Sequence, residues 1–198
     1  MAKRAKTLEE RQNKMTVAVG KPGCGKTTEL LRIYDVLAKS RAVILYDLSN
    51  EPKYRNFPVI TSKTIRAQGA AIQPGIYRFS SADDKRSIEF FREYLRNAVL
   101  VFEDASSYVP ANLPDYLITL ISIRRQLGLD LFFVFHALRM VPPRILTMCN
   151  YILIKKTGDS ISKLKNLDSL PHPALVIAAW KKVQADPNPY AFVNVPVN

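Results

Sequence analysis

The chain has 198 residues, of which 47% are hydrophobic and 23% charged, and this composition can bury one core and excludes a disordered chain and a coiled coil. Its 29 Lys and Arg against 17 Asp and Glu give a formal net charge of +12, which favours a polyanionic partner such as nucleic acid, although a merely soluble basic surface has the same sum. Two cysteines, Cys24 and Cys149, exclude a disulfide scaffold and indicate a reducing, cytoplasmic compartment.

A basic N-terminal tail at residues 1–14 precedes a single predicted domain at residues 15–198. In that domain short apolar runs alternate with helical patterns, and no apolar run approaches the ~20 residues that cross a bilayer. Strands are predicted at residues 15–19, 42–47, 75–79, 99–103, 129–136, 151–155 and 174–180. Helices are predicted at residues 27–39, 82–96, 113–127 and 142–149, the third of them ending at Gly128.

This alternation of continuous apolar strands with helices predicts an α/β fold, in which a mostly parallel central sheet is flanked by helices on both faces. The proline-rich end, with Pro187, Pro189 and Pro196, is not expected to form a central strand, because proline cannot donate to the sheet ladder. Parallel strands end at one edge of the sheet, so residues that follow strands are candidates for a site.

The segment between the first predicted strand and helix reads GKPGCGKTT and fits the phosphate-loop pattern G-x-x-x-x-G-K-S/T. Its glycines let backbone N–H groups face phosphate oxygens, and the helix behind adds a favourable dipole. Lys26 would reach the β- and γ-phosphates of ATP, and Thr27 would offer a hydroxyl to Mg²⁺. The predicted nucleotide-binding residues are Gly20, Lys21, Pro22, Gly23, Cys24, Gly25, Lys26, Thr27 and Thr28. A chance glycine-rich turn is the alternative, and the pattern alone also suits small-molecule kinases.

Two carboxylates, Glu103 and Asp104, follow the apolar strand at residues 99–103. By position, Glu103 would hold Mg²⁺ through water and Asp104 would polarise the attacking water, although the common order is Asp then Glu. An ordinary turn with solvated acids is the alternative. The predicted strands at 42–47 and 75–79 lie between this pair and Lys26, which favours the ATPases with an additional strand between phosphate loop and acidic strand over simple kinases.

Three further residues are candidates. His136 ends the next buried strand, where related ATPases carry a polar sensor of the γ-phosphate, although a lone histidine is more often simply buried. Arg124 and Arg125 end the preceding helix, where cations suit the helix dipole. One of them could instead act as an arginine finger on the ATP of a neighbouring subunit.

Over residues 15–156 the chain resembles the HerA/FtsK superfamily of P-loop ATPases. The resemblance rests on four segments, GKPGCGKTT, VLVFEDAS, IRRQLG and LDLFFVFHAL. The small size is similar to the genome-packaging ATPases of tailless, membrane-containing icosahedral viruses, and also to the zonular-occludens-toxin-like ATPases of filamentous phages. The resemblance implies a RecA-like fold with an additional strand. The second group usually carries a transmembrane helix, and its absence here favours packaging.

The resemblance further implies a motor that hydrolyses ATP with Mg²⁺ to move double-stranded DNA. Its implied partners are copies of itself in a ring, expected to be a hexamer, and a capsid or portal protein, in the host cytoplasm or the virion. His136 stands where the family usually has Gln or Asn, and Arg124 or Arg125 would act in trans. Another DNA-transfer or phage-export ATPase, a small-molecule kinase, and a nucleotide-dependent module without turnover remain alternatives.

Overall fold

The computed structural model describes residues 13–48, 52–81, 83–160, 170 and 172–197. Residues 1–12 of the predicted basic tail lie outside this described part. The strands are Met15–Val19 (β1), Ala42–Tyr46 (β2), Gly75–Phe79 (β3), Val99–Phe102 (β4), Asp130–Phe135 (β5), Tyr151–Lys155 (β6) and Phe192–Pro196 (β7). The helices are Lys26–Leu37 (α1), Ser62–Gln68 (α2), Asp84–Tyr94 (α3), Asp115–Leu127 (α4), Pro143–Met148 (α5) and Pro173–Ala185 (α6).

These strands form one seven-stranded sheet in the order β3-β2-β4-β5-β1-β6-β7. Each neighbouring pair is parallel except β6 and β7, which are antiparallel. The predicted α/β fold with a mostly parallel sheet flanked by helices is therefore confirmed. It is the RecA-like arrangement, because one strand lies between the strand before the phosphate loop (β1) and the acidic strand (β4).

The identity of that intervening strand differs from the expectation. The predicted strands at 42–47 and 75–79 separate the phosphate loop from the acidic pair along the chain, but β2 and β3 lie on the far side of β4. The strand between β1 and β4 is β5, which comes later in the chain. Because crossover connections let a later strand enter between earlier ones, sequence order did not fix sheet order. His136, which follows β5, is thereby placed between the two parts of the site.

The predicted strand at residues 174–180 is wrong, because this segment lies inside helix α6. Pro173 occupies the first turn, where the missing N–H has no helical partner to lose. Val176, Ala179 and Val183 are the buried residues of α6, and their spacing of three and four positions is helical. The apolar run is therefore the buried stripe of a helix that packs on β6 and β7.

The central strands β1, β2, β4 and β5 are fully buried and mostly apolar because helices cover both faces of the sheet. On one face, Leu30 and Tyr34 of α1 pack on side chains such as Val43, Val101 and Val134. On the other face, helices α3 to α6 contribute to a larger core. Burial of both faces fixes the strands in register and leaves the carboxyl edge of the sheet as the place for a site.

The proline-rich end forms β7, an edge strand that contains Pro196 and pairs with β6. This agrees with the expectation that it would not form a central strand, since an edge strand tolerates a missing donor. Among the helices of the described residues, none is both long enough and apolar enough to cross a bilayer.

Candidate nucleotide-binding site

Three adjacent strands bring the predicted site residues together. In the sheet, Val19 of β1 is level with Phe135 of β5, and Phe102 of β4 is level with Phe133 of β5. The residues that follow these strands are the phosphate loop, His136 and the acidic pair, so all three reach the same carboxyl edge. Lys26, the acids and His136, which are distant in sequence, therefore share one site.

The phosphate loop has the backbone that the glycines predict. Gly25 has a φ of 71° and precedes α1 as its N-cap, a left-handed conformation that a residue with a side chain rarely adopts. A Cβ on Gly20 would lie 2.7 Å from Cys24 Sγ and 3.0 Å from Lys155 Cβ, so this position has no room for a side chain. Cys24 is buried and serves as a small packing residue under the loop.

Lys26 spans the loop and β5. Its Nζ donates hydrogen bonds to the carbonyl oxygens of Gly20 at 3.0 Å and Phe135 at 2.9 Å, and lies 3.4 Å from His136 Nδ1. Burial lowers the pKa of Lys26, while the nearby Cys24, Glu103 and Asp104 oppose this shift. The ammonium is thus held at the centre of the loop, where the phosphates of a nucleotide would replace the carbonyl oxygens as acceptors.

His136 connects Lys26 to the acidic pair. Its Nε2 lies 2.8 Å from Asp104 Oδ1, and its backbone N–H donates to Ser106 Oγ at 2.9 Å. The Nε2 approach is a close polar contact and not a directed hydrogen bond, since Asp104 Oδ1 has no hydrogen-bond partner among the described residues, and Nδ1 faces the Lys26 ammonium. Asp104 itself has a left-handed backbone, with a φ of 47°, which turns the chain sharply after β4.

Glu103 lies on the other side of the acidic turn and is only 5% exposed. The Tyr34 hydroxyl of α1 donates to its Oε1 at 3.4 Å. Burial raises the pKa of Glu103 to about 7, although Tyr54, Lys53 and Lys26 act in the opposite direction. A carboxyl group with this pKa is only partly ionised at neutral pH, and a bound cation would favour its charged form.

Thr27 and Glu103 form the oxygen set that would hold Mg²⁺. The ammonium of Lys53 donates to Thr27 Oγ1 at 2.8 Å and also lowers the pKa of Glu103, so a cation already lies beside both groups. A hydroxyl and a carboxylate are hard oxygen donors of the kind that Mg²⁺ prefers, together with water and substrate phosphates. The residues present therefore fit a magnesium ion.

The predicted arginines lie elsewhere in the chain. The helix α4 ends at Gly128 and leads directly into β5, so Arg124 and Arg125 lie at the amino edge of the sheet, opposite Lys26. Arg124 is only 6% exposed and donates to the Ile121 carbonyl at 2.8 Å, whereas Arg125 is exposed. Neither lies in the site of its own chain, and of the two only Arg125 is exposed to solvent.

Sequence reasoning missed four residues of the site: Tyr34, Lys53, Tyr54 and Ser106. Tyr34 lies on the buried face of α1 and reads as an ordinary core residue, and Lys53 and Tyr54 lie in a short 3-10 turn after β2. Lys53 and Tyr54 could have been identified from their position, because a loop that follows a parallel strand lies at the edge of the sheet that carries the site.

Comparisons with known proteins show the fold. No protein-family model matches the chain, and no curated protein matches it. The genome-packaging NTPase B204 of Sulfolobus turreted icosahedral virus 2, solved with ATP-gammaS, matches at a TM-score of 0.71 and 17% identity over 93% of both chains. B204 of Sulfolobus turreted icosahedral virus, a DNA-packaging ATPase, matches at 0.69 and 16% identity over 94% of this chain and 93% of that one.

The N-terminal domain of zonular occludens toxin from Neisseria meningitidis matches at a TM-score of 0.46 and 15% identity over 77% of this chain and 80% of that one. The two B204 matches confirm the predicted resemblance at the level of fold. This chain has a P-loop NTPase fold that is similar, over nearly its whole length, to that of a viral genome-packaging NTPase.

Proposed function

We propose that this protein hydrolyses ATP to translocate double-stranded DNA, and that its task is the packaging of a viral genome. The observation that carries the proposal is the convergence of Lys26, Glu103 and His136 at the carboxyl ends of three adjacent parallel strands. Lys26 is a cation that can bind phosphate, Glu103 is a buried carboxylate, and His136 is a polar group between them. Transfer of a phosphoryl group to water uses groups of these kinds.

In the proposed reaction a water oxygen bonds to the γ-phosphorus while the bond to the β–γ bridging oxygen breaks, and ADP leaves with that electron pair. The Asp104 carboxylate accepts the proton of the water, and His136 orients Asp104 through the 2.8 Å contact at Nε2. Lys26 exchanges its two carbonyl partners for phosphate oxygens and balances their charge.

Thr27 and Glu103 would hold Mg²⁺. The ion, when bound, supplies charge neutralisation on the β- and γ-phosphates. The neighbours of the two acids support this division of roles, since Glu103 lies beside Lys53, the residue bonded to Thr27, and Asp104 lies beside His136. The inverted order of the acidic pair is therefore compatible with metal binding by the first acid and activation of water by the second.

Double-stranded DNA as the partner is supported by the formal net charge of +12, because phosphate contacts by Lys and Arg release counterions. The similarity in fold to a DNA-packaging ATPase over 94% of the chain supports the same proposal. A motor that moves a duplex has to surround or follow it, so we further propose a homo-oligomeric ring, expected to be a hexamer, that acts with a capsid or portal protein.

Steady-state phosphate release with and without double-stranded DNA tests this function. It is measured at low salt, because phosphate contacts weaken steeply as salt rises. We expect DNA to stimulate hydrolysis, and we expect the stimulation to fall as salt increases. Hydrolysis that is indifferent to DNA would contradict the motor proposal. ADP formation that requires a small-molecule acceptor would instead identify a kinase.

A further inference from the structure

A cavity of about 620 Å³ opens between the first turns of α1 and the segment that leads into β7. Its lining includes Gly25 and Thr28 from the phosphate loop and Tyr190 and Phe192 from the C-terminal segment. This volume lies in the range of small-molecule sites. The function proposed above uses the phosphate end of a nucleotide and leaves this adjoining cavity unassigned.

The cavity wall has an aromatic surface that faces solvent. Tyr190 is 60% exposed and Phe192 is 44% exposed, and among the described residues they are the aromatic side chains that the fold leaves exposed. The Tyr190 ring lies against the phosphate loop, because a Cβ on Gly25 would come within 2.9 Å of its Cδ1. An aromatic face next to the start of α1 is therefore close to where the phosphates would bind.

The same surface is fixed in place by the end of β6. Lys155 is only 2% exposed, and its Nζ donates to the Tyr190 carbonyl at 2.8 Å and lies 5.1 Å from the centre of the Phe192 ring. The next residue, Lys156, accepts a 2.8 Å hydrogen bond from the Lys21 N–H at its carbonyl oxygen. One strand end thus holds both the phosphate loop and the aromatic segment, so the two keep a fixed separation.

Several polar side chains of the cavity bond to the local backbone or to a neighbour on the same helix. Asp186 Oδ1 accepts from the Asn188 N–H at 2.8 Å, and Asn188 Oδ1 accepts from the Tyr190 N–H at 2.9 Å. Glu29 forms an ion pair with Arg32 at 3.4 Å. Thr28, Arg32 and Asn188 also line the cavity but are exposed to solvent, so they do not hold a fixed donor or acceptor against the edge of a base.

We infer that this cavity binds the base of the nucleoside triphosphate by stacking on Tyr190, and that it accepts ATP and GTP with little discrimination. The inference rests on the proposed function, because it requires that the phosphate loop binds a triphosphate. Stacking uses the face that every base presents, whereas discrimination between adenine and guanine needs hydrogen bonds to the base edge.

Binding titrations with ATP, GTP and inorganic tripolyphosphate test the inference on the wild type and on Tyr190→Ala. We expect Tyr190→Ala to weaken ATP and GTP about tenfold or more, as loss of a stacked base would do, and to change tripolyphosphate binding by less than about twofold. Tyr190→Phe keeps the ring and is expected to recover most of the lost affinity. Unfolding curves of both variants show whether the fold is retained.

Each contrary result has a separate meaning. Equal binding of ATP and tripolyphosphate by the wild type would overturn the base site and leave the phosphate loop assignment intact. Equal weakening of all three ligands by Tyr190→Ala would also overturn it, as would a preference of more than about tenfold between ATP and GTP. Absence of binding by every ligand, in the wild type as in Lys26→Ala, would instead refute the proposed function on which the inference rests.

Discussion

The Lys53 ammonium donates a 2.8 Å hydrogen bond to the Thr27 hydroxyl. A side chain from the turn after β2 thereby holds a positive charge beside the hydroxyl that would bind Mg²⁺, and it also faces Glu103. A metal ion at this position would therefore compete with Lys53 for the Thr27 hydroxyl, and we expect the lysine to move when Mg²⁺ and nucleotide bind.

We expect Lys53→Met to lower the Mg²⁺ concentration for half-maximal ATP hydrolysis by about two- to tenfold, because a repelling charge is removed from a partly screened position. A titration of hydrolysis against Mg²⁺ at saturating ATP measures this. Lys63→Met, an exposed lysine on α2, is the matched control for the loss of one charge. A higher Mg²⁺ requirement in Lys53→Met would show that Lys53 assists the metal site rather than competing with it.

Lys26→Ala is expected to reduce ATP hydrolysis by about 100-fold or more, because it removes the cation that would contact the transferred phosphate. The control is Lys63→Ala, which removes an exposed lysine on α2, and steady-state phosphate release is measured for both variants. The side chain of Lys26 also joins Gly20 to Phe135, so thermal unfolding has to show that the variant folds. Hydrolysis at the wild-type rate by a folded Lys26→Ala would refute the site assignment.

The variant Glu103→Gln is expected to change stability and ATP hydrolysis in opposite directions. Burial raises the pKa of Glu103 from 4.5 to about 7, so the native state favours the protonated form. Below about pH 4.5 both states are protonated and carry no penalty. Between about pH 4.5 and 7 the unfolded state ionises while the native state keeps its proton, so the free energy of unfolding falls by about 3 kcal/mol, and above pH 7 this loss is complete. Glutamine cannot ionise, so the variant escapes this loss.

We therefore expect the stability advantage of Glu103→Gln over the wild type to be much larger at pH 8 than at pH 5, while ATP hydrolysis is lost. Denaturant unfolding at both pH values, without Mg²⁺ or nucleotide, measures the difference. Glu93→Gln, an exposed glutamate on α3, provides the control. An equal stability difference at pH 5 and pH 8 would contradict the assignment of a buried ionisable group at this position.

The variant Arg125→Ala tests whether one subunit of the proposed ring acts on the ATP of its neighbour. If the exposed Arg125 acts on the ATP of a neighbouring subunit, the variant should hydrolyse slowly while ATP binding is retained. Mixing it with Lys26→Ala should then recover activity, because one subunit supplies an intact phosphate loop and the other an intact arginine. Lack of recovery in mixed assemblies that retain ATP binding would exclude an action of Arg125 in trans.

The buried Arg124 has a different expected role. Its guanidinium bonds to the Ile121 carbonyl and lies in the last turn of α4. Arg124→Ala is therefore expected to lower the unfolding temperature, and its effect on hydrolysis should follow the loss of folded protein. A normal unfolding temperature combined with slow hydrolysis would restore Arg124 as a candidate for contact with a neighbour.

Much of the fold could be predicted because β1, β4 and β5 are mostly apolar runs followed at once by candidate site residues. The run at residues 174–180 misled because short apolar segments have no clear period of two or 3.6, and only Pro173 and the spacing of Val176 and Val183 indicated a helix. The position of β5 between β1 and β4 depends on crossover connections that local patterns do not encode.

Some residues of the candidate site could likewise be predicted from the sequence, and others could not. Lys26 lies in a recognisable motif, and Glu103 and His136 follow strands, so patterns near in sequence identified them. Lys53 and Tyr190 enter from loops that are distant in sequence, and their contacts with Thr27 and Gly25 depend on how those loops pack. Such contacts follow from tertiary structure and have no signature in a single sequence.

The most direct test of the central claim is displacement of a third DNA strand from a triplex placed on a double-stranded track. A protein that moves along the duplex removes this strand in the presence of ATP. We expect displacement by the wild type with ATP, and none without ATP or by Lys26→Ala. DNA-stimulated hydrolysis by the wild type that leaves the triplex intact would contradict translocation.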